Sequence, residues 1–169
     1  NALQLTPASY ISFLVLYRYY DRRYQALFGN AFSQGSTVQN EQGVYMGLQL
    51  TPIARWKLSV YADLFRFPWL KYGIDAPSGG QEYMAQIDYT PSRNYSAYLR
   101  YKYRQKEKNG TFENDNLLRI NPYKQHRIRF QQVYNFSSPF IFKTSLDGIL
   151  FDDPIKKLNK GIMISQSIG

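Results

Sequence analysis

The stretch Thr90-Pro91-Ser92-Arg93-Asn94-Tyr95-Ser96-Ala97-Tyr98-Leu99-Arg100-Tyr101-Lys102-Tyr103-Arg104 decides the fold. From Tyr95 onward two residue classes alternate. Tyr95, Ala97, Leu99, Tyr101 and Tyr103 stand against Ser96, Tyr98, Arg100, Lys102 and Arg104. Successive side chains of a strand point to opposite faces, so this period of two reads as a β-strand with one apolar and one polar face. The residues before it carry the proline and short polar side chains of a tight turn. Upstream of that turn, Tyr83, Ala85, Ile87 and Tyr89 alternate with Glu82, Met84, Gln86 and Asp88, which completes a hairpin.

The same unit recurs along the chain. Thr51-Pro52-Ile53-Ala54 and Phe136-Ser137-Ser138-Pro139 read as further short turns between alternating runs. Before the first of these, Val44, Met46, Leu48 and Leu50 oppose Tyr45, Gly47 and Gln49; after it, Trp56, Leu58, Val60, Ala62 and Leu64 oppose Lys57, Ser59, Tyr61 and Asp63. Ile11, Phe13, Val15, Tyr17 and Tyr19 oppose Ser12, Leu14, Leu16 and Arg18. Weaker runs follow near 125–135 and 161–168, where Gln132 and Gln166 fall on the apolar side, and Phe140, Phe142, Thr144 and Leu146 oppose Ile141, Lys143, Ser145 and Asp147. Long polar connections are expected near 21–42, 68–81, 106–124 and 149–160. Short and long connections in strict alternation are the pattern of an up-and-down barrel in an outer membrane. The expected fold is all-β: an antiparallel up-and-down transmembrane β-barrel, with a soluble lipocalin-like or sandwich protein as the alternative that alternation alone does not separate from it. Aromatics at the strand ends fit this expectation, with Tyr10, Trp56, Tyr89, Tyr95, Tyr134 and Phe140 by the short turns and Tyr19, Phe65, Tyr83 and Tyr103 by the long connections; such rings form interfacial girdles.

The 169 residues suffice for one domain, with 21 basic against 12 acidic residues and a formal charge of +9. The absence of cysteine excludes disulfides and thiolate metal sites. No apolar run approaches the ~20 residues of a spanning helix. Leu3-Gln4-Leu5-Thr6-Pro7 repeats as Leu48-Gln49-Leu50-Thr51-Pro52, so the first residues read as the end of a strand that begins earlier, and the last residues stop in or just after another. Residues 1–169 are thus expected to form a segment of a larger barrel, with about eight strands visible.

On the polar face, Arg18, Lys57, Arg100, Lys102, Arg104, Arg127, Arg129 and Lys143 point the same way as the acidic Asp63, Glu82, Asp88 and Asp147. Arg100, Lys102 and Arg104 should lie across a hairpin from Arg127 and Arg129, where five like charges repel unless something screens them. The functional reading is a path for anions; the alternative is a polar network completed by other carboxylates. The aromatic connection bearing Phe65, Phe67, Trp69, Leu70 and Tyr72 is a candidate contact for a partner. A similar content of Tyr24, Leu27, Phe28 and Phe32 marks the first long connection. The lone histidine, His126, falls on the side of Ile128 and Phe130, a rim position facing lipid that is a poor place for a general base, so no catalytic residue is assigned. Asp152-Asp153 before Pro154 reads as a solvated turn rather than a cation site, and Gly79-Gly80 reads as loop punctuation with no helix to form a phosphate cradle. No metal and no cofactor is expected.

Tyr17-Arg18-Tyr19-Tyr20, Asn30-Ala31-Phe32-Ser33, the segment 38–43 and the segment 56–70 resemble the C-terminal barrel region of large Bacteroidetes outer-membrane proteins often labelled as helix-hairpin-helix or competence-type DNA-binding proteins. The resemblance covers most of residues 8–105, and no helix-hairpin-helix motif occurs in this chain. It implies the outer membrane of a Gram-negative bacterium and a longer parent chain. The first functional expectation is a non-enzymatic channel or transport component with a net-basic polar lumen. The second is a scaffold barrel in an outer-membrane multi-protein complex, and the third is a DNA-uptake component. The expected partners are the lipid bilayer, other outer-membrane proteins or lipoproteins, and nucleic acid.

Overall fold

The computed structural model describes residues 1–24, 31–112, 115–137, 140–153 and 158–169. Ser138 and Pro139 of one expected turn, Leu27 and Phe28 of the first long connection, and Pro154 lie outside the described residues. Nine strands appear: β1 (Ala2–Ala8), β2 (Ile11–Tyr20), β3 (Glu41–Ile53), β4 (Trp56–Phe67), β5 (Ser78–Ser92), β6 (Tyr95–Phe112), β7 (Asp115–Ser137), β8 (Phe140–Asp152) and β9 (Asn159–Ile168). They form one antiparallel sheet in simple sequential order.

The Thr-Pro dipeptides have a more specific role than turn residues. The register shifts between Leu5 and Ala8, between Leu50 and Ile53, and between Tyr89 and Ser92, so Thr6-Pro7, Thr51-Pro52 and Thr90-Pro91 each sit in a β-bulge. Proline has no N–H to give to a ladder, and a bulge is where a strand can accept that loss. The chain reverses just afterwards, at Ser9-Tyr10, Ala54-Arg55 and Arg93-Asn94. Amides beside the bulges bond back to the preceding turn: Thr51 N donates to Tyr10 O (2.9 Å), Thr90 N to Arg55 O (2.8 Å) and Asn135 N to Asn94 O (2.8 Å). Each turn is thereby tied to the next.

The sheet is open, which corrects the expected barrel. β1 pairs with β2 alone and β9 with β8 alone, and no ladder joins the two edges among the described residues. A channel needs closure. Among the described residues the chain forms an open antiparallel sheet and not a barrel, and it lends no support to the expected transmembrane barrel, channel with a lumen, scaffold barrel, outer-membrane location or bilayer partner. The aromatic rings at two heights have another cause. Trp56 lies directly opposite Tyr89, Tyr95 opposite Tyr134, and Tyr83 opposite Tyr103. Their ring centroids are 4.4, 6.2 and 6.1 Å apart, so they are cross-strand aromatic pairs. Phe65, expected in a girdle, lies on the other face and is buried.

The connection expected near 106–124 is instead a hairpin arm, in which Lys106 to Gly110 pair with Tyr123 to Arg119. Its sequence shows no apolar alternation because cross-strand backbone bonds and polar side-chain contacts hold it. Glu107 accepts the Gly79 amide at 2.6 Å, and Asp75 N donates to Asn109 Oδ1 at 3.2 Å.

Burial is concentrated at the end of the sheet that carries the long connections. Among the described residues Phe65, Phe67 and Ile74 are the buried apolar residues, with residues 31–40 and 68–77 around them. Phe65 and Phe67 meet edge to face at 5.8 Å, and Lys71 Nζ lies 3.4 Å above the Phe67 ring. Gly80 makes room for Phe65, since a Cβ there would come within 2.5 Å of the ring and 2.6 Å of Gln105 O. The apolar face is uncovered, with Leu64, Ile87, Leu99, Ile128 and Leu146 each 42–50 % exposed.

Arg55 holds φ at 78°, a left-handed conformation that costs an L-residue energy and glycine nothing. Arg55→Gly should stabilise the chain by about 0.5–1 kcal/mol. Urea unfolding would show this as a higher midpoint, and a lower one would mean the Arg55 side chain contributes more than its backbone costs.

Candidate functional site

Two charged networks occupy the polar face. The first begins with Arg18 on β2. Its Nε bonds Glu41 Oε1 at 2.5 Å, and its terminal nitrogens bond Asp63 at 2.7 and 3.2 Å. Arg18 is 3 % exposed, and Glu41 and Asp63 are fully buried. Gly43 lies opposite Arg18 in the ladder, and a Cβ there would stand 2.6 Å from the guanidinium carbon, so glycine is what lets the side chain cross. Burial opposes the charge on Arg18, but the bonds to Asp63 and Glu41 outweigh it and hold the group above its ordinary pKa.

The chain before β3 closes over this ion cluster. Ser33 Oγ and the amides of Gln34 and Gly35 donate to Glu41, and Gln34 Nε2 donates to Asp63 at 2.8 Å. Lys106 Nζ donates to Gln34 O at 3.0 Å from the far side. Glu41 was not among the expected acidic partners. The signal was present: Glu41, Gly43, Tyr45 and Gly47 continue one face of β3 by period two.

The second network runs between β6 and β7. The register sets Lys102 directly opposite Arg127, Arg100 opposite Arg129, and Arg104 opposite Gln125. Like charges in directly opposed positions destabilise a sheet. The two carboxylates that answer them stand on the flanking strands. On β5, Glu82 accepts from Lys102 (2.8 Å), Arg104 (2.5 Å) and Tyr61 Oη (2.5 Å). On β8, Asp147 meets Arg129 at 2.6 Å and Arg127 at 3.3 Å. Among the described residues Arg100 has the Gln86 amide oxygen, at 2.6 Å, and the face of Tyr98. Among the described residues these five cations thus pair with two carboxylates, a surplus of three positive charges in this stretch of the β6–β7 seam.

Burial pushes the Glu82 carboxyl up, but bonds from Lys102, Tyr61 and Arg104 bring it below its ordinary pKa. The hydrogen bond from Arg129 does the same for Asp147. Burial, together with the donation to Glu82, raises Tyr61.

The other expected site residues are dispersed. Arg18 is neutralised within the first network and adds nothing to the basic seam. Lys57 pairs loosely with Asp88 at 3.9 Å. Lys143 is exposed, opposite Val133 and Ser167, apart from the seam. Of the aromatic connection, Phe65 and Phe67 belong to β4 and are buried, while Trp69, Leu70 and Tyr72 are exposed. Asn40 holds that connection through Trp69 N at 2.9 Å and Trp69 O at 2.8 Å. Asp153 is not a solvated turn residue: it is buried and takes the Lys108 ammonium. His126 Nδ1 lies 2.8 Å from Tyr101 Oη. Among the described residues no group of His, Asp and Glu is placed to hold a metal.

No family model, no curated protein and no solved structure matches the chain. The resemblance to the Bacteroidetes barrel proteins finds no support in these comparisons, and the open sheet is not their expected fold. The expectations drawn from it, a DNA-uptake role and partners among outer-membrane proteins, lipoproteins or nucleic acid, fall with it.

Arg18→Met would leave Glu41 and Asp63 buried without their cation and should cost about 3–5 kcal/mol of stability in urea unfolding. A loss below ~1 kcal/mol would show that the donors on residues 33–35 suffice by themselves. Lys106 offers a second test. Burial, then Arg104 and Lys71, lowers its pKa from 10.5 to about 8. Between those values the unfolded chain holds a proton that the folded chain has released. The contribution of Lys106 to stability therefore rises with pH from about 8 towards 10.5 and is lost as pH falls through 8. Nitrogen-15 NMR of the lysine side chains should show one amine titrating near pH 8 and missing in Lys106→Met; a full set of ordinary lysines would contradict it.

Proposed function

We propose that this chain is a non-catalytic binding module whose polar sheet face captures anionic ligands along the β6–β7 seam. The observation that carries this reading is the surplus of cations over carboxylates in directly opposed ladder positions. A sheet built only for stability would alternate the signs across that seam, because opposite charges in facing positions contribute and like charges cost. Here the like charges face each other and the carboxylates stand outside them, which leaves the middle of the seam for an anion from solution. The cations lie on rigid strands, so their spacing is set before a ligand arrives and little ordering remains to be done on binding. The long side chains of Lys102, Arg104, Arg127 and Arg129 remain 30–46 % exposed and within reach of solvent. A net charge of +9 draws anions towards the whole chain.

Short linear polyphosphate is the probe. It should bind with an affinity that falls steeply as salt is raised, because screening weakens attraction between exposed charges. The variant carrying Arg100→Gln, Arg104→Gln, Arg127→Gln and Arg129→Gln should lose binding by at least about tenfold. Equal affinity in that variant would place the anion elsewhere and end this reading.

A further inference from the structure

Within the seam, the structure points to one discrete oxyanion pocket. We infer that Lys102, Arg104, Gln125 and Arg127 form a site for a single tetrahedral oxyanion group, a phosphate or a sulfate. This rests on the anion-binding reading above and narrows it to one ligand group and four side chains.

Lys102 and Arg104 share one face of β6, two residues apart, and Arg127 and Gln125 stand directly opposite them on β7. The four residues are the corners of a rectangle and enclose a cleft of about 120 Å³. That is the volume of about four waters in the liquid. Four oxygens on one centre fit in the space of those waters.

The donors of the cleft are only partly spent. Arg104 gives its Nε to Glu82, and its terminal nitrogens have no partner among the described residues. Lys102 gives Glu82 one of its three N–H groups. Arg127 holds Asp147 at 3.3–3.4 Å, longer than a charge-assisted bond in good geometry. Gln125 has no side-chain partner among the described residues, and its amide adds a neutral donor to the three cations. Glu82 lies on one side strand and Asp147 on the other. They hold the cations in place without entering the space between β6 and β7. Donors from both strands can thus reach several oxygens of one bound oxyanion at once.

The test is isothermal titration of the whole chain with inorganic phosphate and, separately, inorganic sulfate, at constant ionic strength held by chloride. The expected result is saturable binding at one site per chain, weakened about 10- to 100-fold by Arg127→Gln or Lys102→Met and little changed by Lys57→Gln. Preference for phosphate or for sulfate would identify which ester the natural ligand carries. Far-ultraviolet circular dichroism and urea midpoints of the variants separate loss of the pocket from loss of the fold. If polyphosphate binds in the salt-dependent manner above but neither monomeric oxyanion saturates, the seam is a diffuse anionic track and the pocket is refuted. If Arg127→Gln keeps full phosphate affinity, these four residues are not the site. If polyphosphate, phosphate and sulfate all fail to bind, the pocket and the reading it rests on are both overturned.

Discussion

Register is the constraint on which everything else here depends. In a sheet, a slip of one residue moves every side chain to the opposite face. The bulges at Thr6-Pro7, Thr51-Pro52 and Thr90-Pro91 absorb one irregularity per hairpin at the same place, and the amides beside the later bulges tie each turn to its predecessor. With the register held, Arg18 meets Gly43 and can cross to Asp63, Phe65 meets Gly80 and can lie flat, and Lys102 meets Arg127. Two of these three meetings depend on a missing Cβ. The third brings like charges together, and it persists because the whole ladder, rather than that pair, determines the alignment.

The two charged networks on the polar face obey different physics. Around Arg18, two carboxylates and one guanidinium are removed from water, and their remaining lone pairs are met by Ser33, Gln34 and Gly35. Such a cluster contributes little net stability over an apolar replacement, but it severely penalises any arrangement that leaves one member alone. Its effect is to hold residues 33–35 in one place on the sheet. The β6–β7 seam is the reverse case. Its cations are partly exposed, and among the described residues its carboxylates are fewer than its cations. One network holds the local fold, and the other leaves charged side chains at the surface.

The buried part of the molecule lies at one end. Phe65, Phe67 and Ile74 are covered where the long connections gather, and Lys71 and Lys106 reach over the two rings. The depressed pKa of Lys106 follows from this position, since an amine among aromatic rings and other cations loses part of the hydration that favours its charge. Over the remainder of the sheet the apolar face is uncovered among the described residues. Stability there comes from ladder hydrogen bonds and cross-strand pairs, among them the Trp56–Tyr89 contact and the Tyr95 hydroxyl on Gln132.

Sequence by itself determined the strands, their order and their faces, because period two and the Thr-Pro punctuation are local properties of the chain. Arg100, Lys102 and Arg104 could be placed beside Arg127 and Arg129 for the same reason: consecutive strands joined by a hairpin must be neighbours. The hairpin arm of β6 and β7 was not legible, since residues 106–124 show no apolar periodicity and their pairing is a matter of backbone bonds and a few polar contacts. Period two carries the polar face of β3 back through Gly43 to Glu41, but only the ladder, which sets Gly43 opposite Arg18, brings Glu41 to the guanidinium. Closure was the question that local pattern could not answer. A barrel and an open meander share the same alternation, and whether the first strand meets the last depends on the accumulated twist and curvature of nine strands. Tertiary structure alone decided that the edges remain apart, and with it that the basic residues form an exposed face rather than the lining of a pore.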